Sequence, residues 1–419
     1  MSVTGMAQVR QEMSLSTWNF SHDGNTWTQV SVPHDWAISG PFDKKWDLQV
    51  VQIKENGETH ATEHYGRAGA LPWVGSGEYK TTFTLPKGYK HTEIYFDGAM
   101  AEPTVYVNGN KAGSWAYGYN AFRLDITPFV KAGDNEVRVT LNNQEESNRW
   151  YPGAGLYRPV KIICTGEESI DPWGTFFRAM SATAEKATVA IDMRLSKYSG
   201  FAKVQRLPRG LYVKFLIYDA KGKVVAMKKS GELGIGAAYA QFDIVRPQLW
   251  SPESPYLYTL KTCLYRGKKL LDKTEQKVGI RTIAVSKEKG FQLNGISRKF
   301  KGVCLHHDLG PLGAAVNKAA IIRQIRMMKD MGADAIRTAH NMPSQMQMEV
   351  CDSMGMMVMA ESFDGWKRPK VRNGYNRFYD DWWRKDLQNL ILGHRNHPSI
   401  VMWSIGNEIP EQGSKEGAE

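Results

Sequence analysis

The pattern of hydrophobic and polar positions divides the chain into three regions. In the first region, up to about residue 165, short runs alternate between apolar and polar side chains. One of these runs leads into Asn108-Gly109, a dipeptide that favours a tight hairpin because both residues tolerate positive φ. Strict alternation predicts half-buried β-strands, and many short strands at this spacing are typical of a β-sandwich. The clearest runs cover residues 79–85, 92–96, 104–107 and 136–141.

The second region, from about residue 166 to 284, repeats this alternation with other turn signals. Residues 219–222 read Asp-Ala-Lys-Gly, which favours a turn between two such runs. Roughly seven short strands over about 120 residues predict an immunoglobulin-like sandwich. The strongest runs cover residues 187–193, 211–218 and 256–262.

In the third region, after about residue 285, predicted apolar strands alternate with predicted helices. In the first helix, Ile321, Ile325 and Met328 share one face, and Gly332 and Gly355 follow the ends of two helices. This alternation predicts parallel strands with crossover helices, and four such units make half of an eightfold barrel. The predicted strands are 298–305, 335–338, 356–360 and 399–404, and the predicted helices are 317–331, 344–354 and about 377–395.

Length and charge narrow the possible functions. The 419 residues suffice for two to four domains, and the formal net charge is +11. The Lys and Arg residues are scattered, with no basic helix and no zinc-finger spacing, so we expect no nucleic-acid binding. An anionic sugar substrate stays open on charge alone.

Cysteine usage and hydropathy limit the chain further. The four cysteines lie far apart without a CxxC motif, which argues against a metal site and a dense disulfide framework. No apolar run reaches about 18 residues, so we expect no membrane insertion. The first ten residues lack the apolar region of a signal peptide, which leaves the periplasm and the cytoplasm of a bacterium open. The assembly state is also open, with a homo-oligomer as one option.

Polar side chains follow all four predicted barrel strands. Catalytic residues of β/α barrels lie at the carboxyl ends of the strands, so these side chains are expected at one rim. Four polar strand ends in register predict an active site. They are His306, His307 and Asp308 after the first strand, Arg337, His340 and Asn341 after the second, Glu361 and Asp364 after the third, and Asn407 and Glu408 after the fourth.

The residue types at this rim suit glycoside hydrolysis. The leaving oxygen needs a proton, and a carboxylic acid with a raised pKa supplies it. Glu408 is the best candidate because an apolar strand is expected to bring it into a partly dry site. Asn407 is suited to bind a sugar hydroxyl, and His306 and His340 are suited to donate to, or accept from, ring hydroxyls.

Several of these residues also have plainer interpretations. His306 and His307 could form a metal pair, but adjacent strand residues point to opposite faces and rarely share an ion. His397, just before the fourth strand, is predicted to be structural. Arg337 is either a buried ion-pair partner or a ligand, and Glu361 either orients the site or is structural.

Several stretches resemble glycoside hydrolase family 2. Residues 394–408, HRNHPSIVMWSIGNE, resemble the acid/base signature of that family, and residues 336–343 and 302–315 resemble its segments around the second and first barrel strands. The likeness spans nearly the whole chain. It continues at residues 32–36, 96–99, 105–109, 149–158 and 249–256.

The resemblance implies an all-β jelly-roll sugar-binding domain at 1–165, an immunoglobulin-like sandwich at 166–284 and the first half of a (β/α)8 TIM barrel at 285–419. It implies a retaining exo-β-glycosidase, with β-galactosidase first and β-glucuronidase next, that uses Glu408 as general acid and then base. Its substrate is expected to be an oligosaccharide or a β-galactoside. The implied substrate contacts are Asn407 at the sugar 2-hydroxyl, His306, His340, Asn341, Asp308, and Arg149 and Trp150, whose loop is expected to approach the barrel mouth.

The chain also departs from the family pattern. The family nucleophile, a second glutamate on a later strand, is expected beyond residue 419, so we expect the isolated chain to have little activity. A non-catalytic carbohydrate-binding fragment and a non-functional fragment are the alternatives.

Two further departures concern the ligands of the site. Bacterial β-galactosidases of the family carry a metal-ligating Glu-x-His after the third strand, where this chain has Glu361-Ser-Phe-Asp364. We therefore expect neither a metal nor another cofactor. Arg149 stands where several relatives place an acidic sugar ligand, which weakens any transfer of sugar specificity.

Overall fold

The computed structural model describes residues 9–46, 48–49, 65–66, 72–196, 208–234 and 236–418. Up to residue 165 it contains twelve strands in these ranges. They are β1 (Gln11–Ser14), β2 (Thr17–Ser21), β3 (Thr28–Ser31), β4 (Leu48–Gln49), β5 (Tyr65–Gly66), β6 (Gly75–Leu85), β7 (His91–Phe96), β8 (Thr104–Val107), β9 (Asn110–Ser114), β10 (Phe122–Asp125), β11 (Gly133–Asn143) and β12 (Val160–Thr165).

Two antiparallel sheets enclose the first core. One sheet has the order β1-β12-β7-β10 and the other β3-β2-β6-β11-β8-β9, while β4 and β5 pair with each other. Trp18, Trp36 and Phe122 between the sheets are almost fully buried, which is where the apolar half of each alternating run is expected to lie. The predicted hairpin joins β8 to β9, with φ of 50° at Asn108 and 82° at Gly109. The predicted all-β sandwich is confirmed.

The second sandwich contains seven strands among the described residues. They form a three-stranded sheet, β13-β14-β17, and a four-stranded sheet, β16-β15-β18-β19. Along β15 every second side chain is fully buried, as strict alternation predicts. The immunoglobulin-like prediction is confirmed. The strands are β13 (Phe176–Ala182), β14 (Lys186–Arg194), β15 (Leu211–Tyr218), β16 (Val224–Lys229), β17 (Ala237–Val245), β18 (Tyr258–Arg266) and β19 (Lys269–Val278).

A small antiparallel sheet precedes the barrel strands. It consists of β20 (Ile283–Ser286), β21 (Gly290–Leu293) and β22 (Ile296–Ser297), none of which the sequence predicts. The predicted barrel strand 298–305 is correspondingly too long, because the Arg298 amide bonds back to Phe291 of this sheet.

Four parallel strands with the order β23-β24-β25-β26 then form half of a barrel, which confirms the third part of the predicted fold. Asn317 and Ser344 cap the first two helices through their side chains, and Gly355 ends the second in the left-handed conformation. The elements are β23 (Gly302–Leu305), α1 (Lys318–Asp330), β24 (Ala335–Thr338), α2 (Gln345–Met354), β25 (Met357–Glu361), α3 (Tyr379–His394), β26 (Ile400–Ser404) and the short α4 (Lys415–Ala418). In the described ranges no helix has both the length and the apolar character needed to cross a membrane.

Buried polar side chains fasten both sandwiches to the barrel. Asp386 of α3 accepts hydrogen bonds from Trp115 (2.8 Å) and Asn120 (2.6 Å) of the first sandwich. Arg281, at the end of the second sandwich, donates to the carbonyls of Pro398 (2.5 Å) and Ile400 (2.6 Å). The Asp386 contacts hold the first sandwich against α3, and the Arg281 contacts hold the second sandwich against the start of β26.

His397 lies at the foot of β26 between two oxygen acceptors. Its Nδ1 is 2.6 Å from Asp352 Oδ2 and its Nε2 is 2.9 Å from Gln345 Oε1. The Gln345 amide nitrogen donates to the Gly393 carbonyl, so the amide oxygen faces the ring. Burial opposes a charged imidazole, but the Asp352 carboxylate outweighs it and raises the pKa of His397. This geometry agrees with the structural role predicted for His397.

Because of His397, the free energy of unfolding is expected to fall as the pH rises. A raised folded-state pKa contributes stability that is complete below the unfolded pKa of about 6.5 and lost as pH rises through the folded value. His397→Asn should remove the part of this decline that sets in above about pH 6.5, as measured by urea unfolding. The buried Asp97 and Asp386, whose pKa values burial raises to about 6, change stability mainly at lower pH. An unchanged slope in the variant would contradict the assignment.

Candidate active site

The carboxyl ends of β23 to β26 form one rim, and Glu408 stands on it. Residues 405–407 leave β26, and Glu408 itself has a φ of 46°, a left-handed conformation that is uncommon for a residue other than glycine. The side chain of Glu408 is 67% exposed. The prediction of a partly dry site for Glu408 is therefore wrong for the described structure, because the chain turns the carboxylate outward over the rim.

Two cations lie beside the Glu408 carboxylate. Arg149 Nη2 and Lys370 Nζ are each 3.7 Å from Glu408 Oε2. The same two nitrogens lie 2.7 and 3.3 Å from Asp364 Oδ1. Each cation thus bridges two carboxylates, which balances the charge at this part of the rim.

Asp364 is tied to the first sandwich through Arg149. Arg149 donates from Nε to Oδ2 at 3.0 Å and from Nη2 to Oδ1 at 2.7 Å, the bidentate geometry of strong arginine–carboxylate pairs. Burial works against the charged form, but Arg149, with Lys370, outweighs it and lowers the pKa of Asp364. The Arg149–Trp150 loop therefore reaches the barrel mouth, as the family resemblance implies.

Lys370 is a site residue that the sequence analysis missed. Its side chain is only 3% exposed, and its Nζ donates to the Asn407 carbonyl at 2.8 Å. Burial lowers the pKa of Lys370, and the nearby Asp364 opposes that shift. The only available signal was the basic run 367–370, which follows the polar end of the third strand.

Glu361 is a fully buried hub beneath the rim. Its Oε2 accepts from Arg337 Nε at 2.9 Å and from Ser404 Oγ at 2.7 Å, and its Oε1 lies 2.9 Å from His340 Nδ1. Burial favours the neutral acid, but the hydrogen bonds of His340 and Ser404 and the charge of Arg337 outweigh it and lower the pKa of Glu361. Glu361 therefore links the end of β25 to the ends of β24 and β26, and Arg337 is its ion-pair partner.

Asn407 connects this hub to the charged cluster. Its Oδ1 accepts from Arg337 Nη2 at 2.7 Å, and its Nδ2 donates to Asp364 Oδ1 at 3.0 Å. Glu408 Oε2 lies 3.5 Å from the same Nδ2. These contacts identify which end of the Asn407 amide carries the nitrogen. Only 3% of the surface of Asn407 is exposed.

Two histidines and a tryptophan form a wall next to this cluster. The Trp150 ring lies 5.1 Å from the His306 ring and 5.7 Å from the His340 ring, and the two imidazoles are 5.5 Å apart. Because His340 Nδ1 faces Glu361, its Nε2 is the ring atom left for a ligand. Burial, followed by the charge of His340, lowers the pKa of His306 and keeps it neutral near pH 7. A neutral imidazole both donates and accepts, which suits sugar hydroxyls.

Two other residues of the predicted rim, His307 and Asn341, are not part of this wall. His307 points away from His306: its ring is 5.1 Å from that of Tyr119, and burial lowers its pKa to about 3. Asn341 is 2% exposed, and its Nδ2 donates to the Met342 carbonyl at 3.2 Å.

Asp308 stays near the rim, where its Oδ2 accepts weakly from the Gly310 amide at 3.4 Å and its charge acts on His306. Within the described ranges no group of three His, Cys, Asp or Glu side chains converges on a metal position.

Comparison with family models covers most of the chain. Residues 14–165 match the sugar binding domain of glycosyl hydrolases family 2, residues 179–281 match a model described as glycosyl hydrolases family 2, and residues 283–417 match the TIM barrel domain of that family.

The chain is also similar to individual proteins over nearly its full length. A beta-galactosidase of Bacteroides ovatus is 39% identical over 93% of the chain, and a putative beta-glucuronidase of Formosa agariphila is 36% identical over 92%. The chain spans 44% and 35% of these two relatives, so less than half of each.

Two solved structures share the fold. A glycosyl hydrolase family 2 member from Bacteroides cellulosilyticus has a TM-score of 0.86 at 32% identity, and a beta-glycosidase from Bacteroides vulgatus has 0.84 at 33%. Each similarity covers 97% of this chain and about half of the other chain (52% and 51%).

Proposed function

Because the chain belongs to glycosyl hydrolase family 2, we propose that the protein is a retaining exo-β-glycosidase that removes terminal β-linked sugars from oligosaccharides. The observation that carries this proposal is Glu408, which stands beside Asn407 on a rim built by four barrel strand ends and one loop of the first sandwich. β-Galactosides are the first candidate substrates, since the relative at 39% identity is a beta-galactosidase.

Glu408 would act first as an acid and then as a base. In the first step its proton passes to the glycosidic oxygen as the bond to the leaving group breaks. In the second step the carboxylate takes a proton from the water that attacks the anomeric carbon. Arg149 Nη2 and Lys370 Nζ, each 3.7 Å from Glu408 Oε2, would stabilise the carboxylate between the two steps.

The neighbouring side chains would hold the sugar. His340 Nε2 and the neutral His306 are placed to exchange hydrogen bonds with ring hydroxyls, with Trp150 packed against both rings. The second N–H of the Asn407 amide, near Glu408, would donate to the 2-hydroxyl.

The described carboxylates near Glu408 are poor candidates for the nucleophile. A retaining mechanism needs a second carboxylate about 5–5.5 Å from the first, free to attack the anomeric carbon. Glu361 and Asp364 already accept hydrogen bonds on both of their oxygens. We therefore propose positioning roles for both and assign the nucleophile to no described residue.

A β-glucuronidase is the second candidate, favoured by the relative at 36% identity. A glucuronide brings its own carboxylate, which needs a cation at the site. Arg149 and Lys370 at the described mouth already contact Asp364 and Glu408, which favours a neutral sugar.

Turnover of a substrate panel by the full-length protein tests the proposal. Nitrophenyl β-galactoside should be cleaved with a kcat/KM at least about tenfold above that of the β-glucuronide, and the α-galactoside should not be cleaved. Proton NMR of the first product should show the β-anomer, because two displacements retain configuration. Release of the α-anomer first, or no hydrolysis of any β-glycoside in a wider panel, would refute the proposal.

A further inference from the structure

One face of the second sandwich combines lysines with tyrosines. In the sheet β16-β15-β18-β19, the inner side chains of β15 are fully buried, while the alternate ones point away from the core. We call this outer surface the lysine–tyrosine face. It carries Tyr212, Tyr218, Tyr265, Lys214, Lys229, Lys261, Lys273 and Lys277.

Strand register brings these side chains together. Tyr212 of β15 lies opposite Tyr265 of β18, and their rings stack at 5.3 Å with an interplanar angle of 8°. Lys214 lies opposite Cys263, which in turn lies opposite Lys273 on β19. Cross-strand neighbours on one face are about 5 Å apart, so the face forms a continuous patch.

The tyrosine rings lie next to the ammonium groups. Lys229 Nζ is 4.1 Å from the centre of the Tyr212 ring, and Lys214 Nζ is 5.0 Å from that of Tyr265. These are cation–π distances, so the long lysine side chains are held over the sheet. An ammonium group that is held in place loses less entropy when it binds an anion.

Positive charge on this face is mostly uncompensated. Among the described residues, Lys261 is the only lysine of the face in an ion pair, with Glu275 at 3.1 Å. Lys277 donates to the neutral Thr259 hydroxyl at 2.8 Å. Among the described residues of these four strands, the face carries five lysines and the carboxylate of Glu275, which creates a local positive potential.

We propose that the lysine–tyrosine face is a non-catalytic binding site for an acidic polysaccharide, one bearing carboxylate or sulfate groups. Charge complementarity selects an anionic partner, and it opposes pairing with a second copy of the same face. The rings of Tyr212 and Tyr265 hold Lys229 and Lys214 over the sheet, so these ammonium groups are already ordered when a carboxylate or sulfate group binds. The lysines of the face stand on all four strands of the sheet, so an extended chain lying across the strands would contact several of them together.

Such a site would hold the protein on a polymer while the active site processes chain ends. Tethering raises the local concentration of the second binding partner without any new contact at the active site. Binding at this face depends on neither turnover nor Glu408, so it is testable apart from the proposed function.

The described chain itself serves for the test. The face variant combines Lys214→Gln, Lys229→Gln and Lys273→Gln. The matched control combines Lys87→Gln, Lys287→Gln and Lys289→Gln, exposed lysines outside this face whose loss changes the net charge equally. Calorimetric titrations would use polygalacturonate as the carboxylated probe, heparin as the sulfated probe, dextran as the neutral probe and duplex DNA as the competing polyanion.

The face variant should bind at least one acidic polysaccharide at least about tenfold more weakly than the parent chain, while the control should stay within about twofold. Binding to only one of the two probes would support the proposal and identify the anion. A Tyr212→Ala, Tyr265→Ala variant with parent-like circular dichroism should also bind the polysaccharide more weakly, because Lys229 and Lys214 are then no longer held over the sheet.

Three results would overturn the proposal. They are equal losses in the face and control variants, which would indicate diffuse charge; tighter binding of DNA than of either polysaccharide, which would indicate a nucleic-acid surface; and equal affinity for dextran.

Discussion

Replacing Glu408 by Gln in the full-length protein is expected to lower kcat/KM for nitrophenyl β-galactoside by about 10²–10⁴-fold. Glutamine keeps the size and polarity of the side chain, but it has no proton to give to the leaving oxygen. The loss should be much smaller with a dinitrophenyl leaving group, which departs readily without protonation. A purely structural role for Glu408 would not produce this dependence on the leaving group.

Glu411→Gln is the matched control for this experiment. It makes the same chemical change three residues further along, where Glu411 Oε1 accepts from the Arg368 amide at 2.8 Å. We expect its kcat/KM to stay within about threefold of the parent protein, since no transition-state interaction is lost. Full activity in Glu408→Gln, or equal losses with both leaving groups, would contradict the acid/base assignment.

Most of the fold was predictable from local sequence patterns, because strand alternation and helix capping depend on residues that are close together in the sequence. Residues 211–218 alternate strongly, and β15 has those same bounds. Asn317 and Ser344 were included in predicted helices and are the capping residues at their starts. The strands β20 to β22 were missed because runs of two to four residues are too short to show a period.

The rim was predictable, but the contacts that define it were not. Polar residues after four strands indicated a shared edge, since parallel strands place their carboxyl ends together. The Arg149–Asp364 pair joins residues that are 215 positions apart, and it exists because the first sandwich docks on the barrel. The exposure of Glu408 likewise depends on the turn after β26 and on the residues that pack over Glu408. Neither can be inferred from the apolar sequence of β26.

Arg158→Met is expected to lower the free energy of unfolding by about 3–5 kcal/mol. Arg158 is 1% exposed, and its guanidinium links the first sandwich to the barrel. It donates to the carbonyls of Asp97 (3.1 Å), Tyr119 (2.8 Å), Pro343 (3.2 Å) and Met342 (2.8 Å). Methionine fills much of the same volume, so the loss reports four carbonyls left without this donor and not mainly a cavity.

Arg138→Met provides the control, because it removes an arginine whose ion pair with Glu78 is at the surface. That pair has a 3.2 Å separation and a 29% exposed arginine side chain, so its loss should cost less than about 1 kcal/mol. Urea unfolding followed by tryptophan fluorescence compares the two variants, with the first transition analysed because a multidomain chain need not unfold in one step.

The pH dependence of the Arg158→Met defect should separate its two causes. Asp97 is buried with Arg158 as its nearby cation, and burial raises the pKa of Asp97 to about 6 in spite of that charge. Without Arg158 the Asp97 carboxylate loses its counter-charge, so the defect should be largest above about pH 7 and shrink below about pH 6, where protonation removes the buried negative charge. A defect of the same size at both ends of this range would mean that the lost hydrogen bonds to carbonyls, and not the charge on Asp97, account for the contribution of Arg158.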